Sequence, residues 1–298
     1  MVKTENPLYQ LVGEFSNIAH TKTDLFREIA DYSPEFKVRL KSARKEGVES
    51  LREIENEIPS IEKAEAGVVV DLFLSYRAVG AYKNMIALVD KMSKPLASEL
   101  MIQEQLGFAL NRDGKSEEAE AVLLTQINKR GPSSETCGIL GRVYKDRWEA
   151  EIKKGQEIAA ADYLNKAVET YLKGFESDWR DAYPGVNAVT LMELQTPPDP
   201  RREQLIPVVH YAVERRIVTG KPDYWDYATL LELNVLAKEK ENSLKSLTKA
   251  LTLVREPWEP ETTARNLRLI REARESRREA LLAWDIEIEE ELLKKAGK

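Results

Sequence analysis

The chain has 298 residues, of which 42% are hydrophobic and 32% are charged, so it can bury a continuous core beneath long amphipathic helices. Its 14 glycines and 13 prolines are too few for an all-β protein that must turn often. The net charge of −6 argues against a nucleic-acid binder, because such proteins usually carry a basic field.

The sequence carries no pattern of a membrane or secreted protein. Its start is polar and mixed in charge, from Met1 to Asn6, and no apolar run is long enough to span a bilayer. Cys137 is the single cysteine, which excludes an internal disulfide framework and fits a reducing compartment. These features predict a cytoplasmic protein without a membrane partner.

The first segment is predicted to be a helical cap. Residues 22–58 have the apolar spacing of helices but lack the repeat signature that follows. We therefore assign residues 1–62 to an N-terminal helical cap.

A period of 34 residues follows the cap. Leu72, Leu106 and Leu140 are spaced by this period, and so are the residues four positions further on, Tyr76, Leu110 and Tyr144. Leu-Gly-x-x-Tyr is typical of the first helix of a tetratricopeptide repeat, which has this length.

The second helix of the middle repeat agrees with this assignment. Ala119 stands at the small-residue position, Leu123 at the large one, and Pro132 closes the unit. A small residue lets two helices approach, and one repeat cannot bury its apolar face alone, so several must stack. The predicted fold is an all-α, tetratricopeptide-like helical-repeat solenoid, with about five helix pairs in residues 63–256.

The later units depart from the period. In the third, the small and large positions, Ala167 and Tyr171, arrive 14 residues late, which predicts an extended hairpin near residues 147–178. A fourth unit starts after Pro184, breaks at residues 196–200 and resumes to about Thr219. A fifth runs from Tyr224 to Val254.

Residues 257–298 are predicted to form a long charged helix. Its first apolar patch, Leu267 and Ile270, can cap the solenoid. The second patch lies on one helical face and could pair with a second copy in a homodimer; it consists of Leu281, Trp284, Ile288 and Leu292. The alternative is a solvated, fraying terminal helix.

Four stretches carry a family resemblance: residues 69–77, 108–112, 141–146 and 175–187. They resemble the central regulatory domain of the apoptosis signal-regulating kinases, also called their TRAF-binding region, and its bacterial homologues. The resemblance covers about residues 25–275.

The resemblance implies a sensor and scaffold rather than an enzyme. Bacterial members are similar to components of conflict and immune systems, where a nucleotide-derived signal, one related to NAD, has been proposed as the ligand. The chain has no Gly-rich loop, His-Arg-Asp or Asp-Phe-Gly of a kinase. We therefore expect a separate effector protein as its partner.

Few residues could carry chemistry. His20 and His210 are the only histidines, and Cys137 has no histidine near it in sequence. No phosphate-binding loop or dinucleotide fingerprint occurs. We predict no catalytic residue, no metal site and no cofactor.

Two sets of residues are candidates for ligand binding. In tetratricopeptide folds the first helices line the concave groove, and this rule selects Arg77, Asn111, Arg112, Arg142, Lys145 and Asp146. Their cationic and amide groups suit phosphate or carboxylate, the alternative being surface ion pairs of little energy, such as Arg142 with Asp146. The second set lies where one hairpin turns into the next: Arg180, Asp181, Tyr183 and Asn187.

The second set also has a structural interpretation, in which Trp179 and Tyr183 fill a joint between hairpins.

Two functions follow from these sites. One is a non-catalytic sensor that binds a small anionic, nucleotide-derived ligand in the groove and signals to the effector. The other is an adaptor that binds protein partners and no small molecule.

Overall fold

The computed structural model describes residues 33–280 and 282–298. Within these ranges it contains fifteen α-helices and no strand, so the all-α helical-repeat prediction is confirmed. Contacts divide the chain into two compact units, residues 1–143 and 144–298, with the division inside one helix. The predicted domain boundaries after residues 62 and 256 remain predictions.

The described part of the first unit begins with two helices before the repeats. Its elements are α1 (Pro34–Glu46), α2 (Val48–Glu57), a 3₁₀ turn (Ile61–Lys63), α3 (Ala66–Ala78), α4 (Tyr82–Val89), α5 (Lys94–Ala97), α6 (Leu100–Arg112), α7 (Ser116–Arg130) and the first part of α8 (Ser134–Lys153).

The two leading helices dock on α3 through polar contacts as well as apolar ones. The repeat tyrosine of α3, Tyr76, is fully buried and donates to Glu55 Oε2 of α2 at 2.5 Å. Burial is the main reason that the pKa of Tyr76 is raised well above its usual value. From α1, Arg44 pairs with the buried Asp71 at 3.2 Å. These contacts fasten α1 and α2 to the first repeat helix.

The middle repeat shows why its signature residues are small. A Cβ added at Gly107 of α6 would lie 2.7 Å from Leu123 Cγ of α7, so glycine is what permits this close approach. Ala119 and Leu123 are both fully buried. The small and large positions predicted from the 34-residue period therefore do what that pattern requires.

The second unit contains the rest of the helix pairs. After α8 come α9 (Glu157–Ser177), α10 (Ala182–Leu194), α11 (Arg201–Thr219), α12 (Tyr224–Leu236), α13 (Lys240–Thr252), α14 (Trp258–Ser276) and α15 (Ala283–Lys295). With 20 and 21 residues, α8 and α9 are the longest helices in the described ranges. Tyr144 and Tyr163 stack between them, with 6.5 Å between ring centroids.

The three first helices α10, α12 and α14 run side by side in the same direction. Near their carboxyl ends, Arg274 of α14 reaches Glu193 of α10 and the carbonyl oxygens of Val235 and Leu236 of α12. At the opposite ends of α12 and α14, the rings of Trp225 and Trp258 lie 5.6 Å apart. The N-terminal turns of these helices therefore share one edge of the second unit.

The C-terminal segment differs from the prediction in two respects. It forms two helices, α14 and α15, instead of one. Trp284, Ile288 and Leu292 of the second apolar patch are buried within the unit and are not available to a second copy; Leu281 lies outside the described residues. The proposed homodimer face is thus wrong, because α15 folds back against α14 and covers the patch itself.

None of the helices in the described ranges combines the length and hydropathy needed to cross a membrane.

Candidate functional site

One candidate surface lies in the first unit and centres on Phe108 of α6. The guanidinium of Arg77, from α3, lies 4.5 Å from the Phe108 ring centroid, and that of Arg112 lies 5.3 Å from it. Tyr82 of α4 meets the same ring edge-on at 5.9 Å. Two of the predicted groove cations therefore converge on one aromatic ring, an arrangement stabilised by cation–π attraction.

The other predicted groove residues of the first unit are half-buried, as Arg77 is. Asn111 is half-buried in the last turn of α6. Arg142 is half-buried on α8. That Arg142 shares a surface with Arg77 stays a prediction.

Lys145 and Asp146 belong to the second unit. Asp146 is half-buried, whereas Lys145 is buried, with 3% of its surface exposed. The positive charge of Lys145 lies near Glu232 of α12 and acts to lower the pKa of that carboxyl, although burial has the larger effect and raises the pKa. Lys145 is thus engaged inside the unit, which corrects the expectation that it faces a ligand.

Glu232 is the centre of an internal polar cluster that sequence reasoning did not find. Its Oε1 accepts from Thr190 of α10 at 2.5 Å, and its Oε2 accepts from Asn266 of α14 at 3.2 Å. With Lys145 from α8, four successive first helices contribute to this cluster. The two oxygens of the Glu232 carboxylate therefore accept hydrogen bonds from within the unit.

The second predicted site is the turn between α9 and α10. Trp179 is 51% exposed and rests edge-on against Phe175, with 5.2 Å between ring centroids. Tyr183 is 47% exposed. Between them Arg180 points to solvent and pairs with Asp178, Nε to Oδ1, at 2.8 Å. Trp179 and Tyr183 therefore fill the space between the two hairpins only in part, since about half of each side chain is exposed.

Asp181 and Asn187, two other residues of this set, have local structural roles. Asp181 is buried and caps α10, because its side chain accepts from the backbone N–H of Tyr183 at 3.1 Å. Asn187 donates to the carbonyl oxygen of Tyr183 at 2.9 Å. Both help to position Tyr183 at the start of α10.

The same edge carries a second aromatic pair, Trp225 and Trp258. Asp223 caps α12 in a capping box with Asp226, which fixes Trp225 in the first turn. Trp225 is half-buried against Trp258, which is 43% exposed at the start of α14. The available signal was the recurrence of a tryptophan beside the first turn of α10, α12 and α14.

An arginine accompanies this second pair as well. Arg255 Nη2 lies 2.8 Å from Glu259 Oε1 and 3.6 Å from Asp223 Oδ2, and about half of its side chain is exposed. We call the set Trp179, Arg180, Tyr183, Trp225, Arg255 and Trp258 the aromatic edge.

The positions of the predicted non-catalytic histidine and cysteine can be compared with those of the carboxylates in the described ranges. No cluster of three or more His, Cys, Asp and Glu residues suited to a metal occurs in the part of the chain that the structure describes. His210 is half-buried with Nδ1 3.5 Å from Glu214 Oε2, and Cys137 is buried; His20 lies outside the described residues. The arrangement offers surfaces for binding, built from aromatic rings and guanidinium groups.

Comparison with known sequences identifies relatives of the chain. The model of the MAP3K TRAFs-binding domain matches residues 5–290. Mitogen-activated protein kinase kinase kinase nsy-1 of Caenorhabditis elegans is 28% identical over 219 residues, which are 67% of this chain and 14% of that protein. Mitogen-activated protein kinase kinase kinase 15 of Mus musculus is 26% identical over 249 residues, 78% of this chain and 18% of that protein. The chain thus spans less than a fifth of the length of these relatives.

Among solved structures, a thermophilic TPR protein of Thermus thermophilus superposes with a TM-score of 0.50 at 13% identity. The match covers 68% of this chain and 99% of that one, and it supports the tetratricopeptide fold. Since the family model accounts for nearly the whole sequence and the fold agrees, the chain belongs to the MAP3K TRAFs-binding domain family.

Proposed function

We propose that the chain is a protein-interaction scaffold that docks a partner polypeptide on the aromatic edge of its second unit. The observation that carries this proposal is the exposure of Trp179, Tyr183 and Trp258, each between 43% and 51%, at the starts of first helices. Covering such large exposed aromatic side chains with a partner would be favourable, because it removes their apolar surface from water.

The composition of the edge is that of a protein-binding hot spot. Trp, Tyr and Arg contribute most binding energy in interfaces, and here Arg180 and Arg255 accompany the rings. The caps that precede the rings, Asp181 and Asp223, hold the backbone in place. A partner would therefore meet a preorganised surface, which lowers the entropy cost of docking.

The family description names TRAF proteins as what its members bind, which supports a protein partner for this chain. The separate effector protein predicted from the resemblance would be such a partner. Because the chain matches only a small part of each kinase relative, the activity of those whole proteins is not transferred to it.

A photo-crosslinking experiment tests the scaffold. A photoreactive phenylalanine analogue is placed at Tyr183 or Trp258 in cells of the source organism, and the captured protein is identified and purified. Its Kd is then measured for wild type, Trp179→Ala, Trp258→Ala and the control Tyr211→Ala, which removes an exposed tyrosine of α11. We expect each tryptophan variant to weaken binding about tenfold or more, roughly 1.4 kcal/mol, and the control to change little. Equal affinity of all four proteins would refute the proposal.

A second candidate function is binding of a small anionic molecule at the Phe108 surface. The two guanidinium groups of Arg77 and Arg112 over one ring favour it, since they could clasp a phosphate while the ring contacts a base. A nucleotide-derived ligand related to NAD, and a role in a bacterial conflict system, are finer predictions that rest on the resemblance alone.

A further inference from the structure

Two departures from the repeat pattern face each other in the second unit. The first is the extended hairpin of α8 and α9. The second is the proline-rich connector between α10 and α11, residues 195–200. They enclose an open groove of about 680 Å³, whose lining includes Trp148, Ile152 and Leu164 from the hairpin, and Pro197 and Pro198 from the connector. The groove lies at the carboxyl end of α10, opposite the aromatic edge.

Side-chain hydrogen bonds hold the two walls of the groove together. Gln195 Nε2 donates to Asn165 Oδ1 of α9 at 2.7 Å. Arg201 bridges Glu169 of α9 and Asp199 of the connector, with 2.9 Å between its Nε and Asp199 Oδ2. The connector also closes on α10, because the Asp199 N–H donates to the Met192 carbonyl oxygen at 3.0 Å. The groove is therefore formed before any partner arrives.

The surface of the groove combines apolar side chains with hydrogen-bond acceptors. Ile152 is 54% exposed, so it offers apolar surface in the lining of the groove. Pro197, Pro198 and Pro200 have no N–H, so this stretch of the connector presents pyrrolidine rings and carbonyl oxygens. Such a surface fits aliphatic side chains together with hydrogen-bond donors.

The charges of the groove have one sign. Glu157 and Asp199 are the charged residues of its lining, which contains no lysine, arginine or histidine. Asp199 is compensated by Arg201, whose hydrogen bonds hold the pKa of that carboxyl below its usual range. Glu157 is exposed in the first turn of α9. Among the residues that the structure describes, the charge of the lining that has no ion-pair partner is thus the negative charge of Glu157.

We propose that this groove is a second docking site, which takes a partner segment with aliphatic side chains and at least one lysine or arginine. Complementary charge at Glu157 would give the segment its register, and the apolar walls would contribute most of the affinity. The 13 residues of α10 separate the two surfaces by about 20 Å, so one scaffold could hold two different polypeptides.

Peptide display tests this site with the whole chain. Random peptides of roughly ten residues, about 33 Å when extended, are selected on wild-type protein. The selected peptides are then measured by fluorescence polarisation against three variants. Ala161→Trp fills the groove from an exposed lining position, Glu157→Lys reverses its charge, and Ala121→Trp is the matched control on an exposed alanine of α7.

We expect the selected peptides to be enriched in aliphatic and basic residues and depleted in acidic ones. Ala161→Trp and Glu157→Lys should each weaken them about tenfold or more, while Ala121→Trp leaves their affinity unchanged. Several results would overturn the proposal: no enriched peptide, enrichment of acidic peptides, or peptides that bind Ala161→Trp as well as wild type. So would a concentration-dependent dimer in sedimentation that Ala161→Trp abolishes, because a second copy would then be the occupant. Loss of the aromatic edge, in Trp179→Ala, should not change this peptide binding.

Discussion

Arg274 of α14 and Glu193 of α10 form a buried ion pair, with 2.9 Å between Nε and Oε1, although 81 residues separate them in sequence. The same carboxylate accepts from Arg277 at 2.9 Å and from Arg202 at 2.7 Å. Arg274 in turn donates to carbonyl oxygens at the end of α12. Glu193 therefore links the carboxyl ends of α10, α12 and α14. These are the helices on which both docking surfaces depend.

We expect Glu193→Ala to destabilise the second unit strongly. It would leave Arg274, which is almost fully buried, without its nearest carboxylate partner, and breaking a buried pair in this way typically costs about 3–5 kcal/mol. Urea unfolding monitored by circular dichroism measures the loss. The control is Arg180→Ala, whose ion pair with Asp178 is exposed and should leave the midpoint unchanged. A Glu193→Ala midpoint equal to that of the control would show that the network does not stabilise the fold.

Asp285 of α15 predicts a pH dependence of stability. Burial raises the pKa of Asp285 to about 6, with Arg274 opposing the rise and Glu289 adding to it. A folded-state pKa above the unfolded value favours the folded protein at low pH, and that advantage is lost as pH rises through about 6. We therefore expect Asp285→Asn to raise the free energy of unfolding at pH 8 by about 1–3 kcal/mol and to have little effect at pH 4.

Asp178 provides a control of opposite sign for this measurement. Its pKa is lowered, chiefly by the hydrogen bond from Arg180, so any stability it contributes is present at neutral pH and lost as pH falls. Asp178→Asn should not stabilise the protein at any pH. If Asp285→Asn gave the same difference from wild type at pH 4 and pH 8, the raised pKa of Asp285 would be wrong.

The outcome at these residues shows what periodicity can and cannot predict. The 34-residue spacing identified the helix pairs because buried small and large residues, such as Ala119 and Leu123, repeat with the fold. It could not predict that Lys145 turns inward to Glu232, since that depends on how four helices meet. For the same reason, periodicity predicted that the apolar face of α15 contacts a second copy, whereas Trp284 on that face is buried within its own unit.

The repeat signature itself can be tested at Gly107. Alanine in a helix is normally favoured over glycine by about 1 kcal/mol. Here an added Cβ would lie 2.7 Å from Leu123 Cγ, so we expect Gly107→Ala to destabilise the first unit by about 1–3 kcal/mol. In the double variant with Leu123→Ala the two losses should be less than additive, because the new methyl group occupies part of the vacated space. Stabilisation by Gly107→Ala would mean that the helices separate at no cost.

The remaining prediction separates the two candidate functions, one on the aromatic edge and one at the Phe108 surface. If a phosphate-bearing ligand binds there, Arg77 and Arg112 each make a charge-assisted contact typically worth about 1.5–3 kcal/mol. Arg77→Gln and Arg112→Gln should then weaken it by roughly ten- to a hundredfold, and added salt should weaken it further. Arg130→Gln, an exposed arginine of α7, is the matched control and should bind as wild type does.

Calorimetry with a panel of nucleotides related to NAD, at two salt concentrations, measures these affinities. The adaptor function predicts a different pattern: no heat of binding with any nucleotide, and a protein partner whose affinity falls in Trp179→Ala but not in Arg77→Gln. The two surfaces lie in different units, so each set of variants leaves the other surface intact. If a nucleotide bound wild type and Arg77→Gln equally, its site would lie elsewhere. The proposed ligand role of Arg77 and Arg112 at Phe108 would then be wrong.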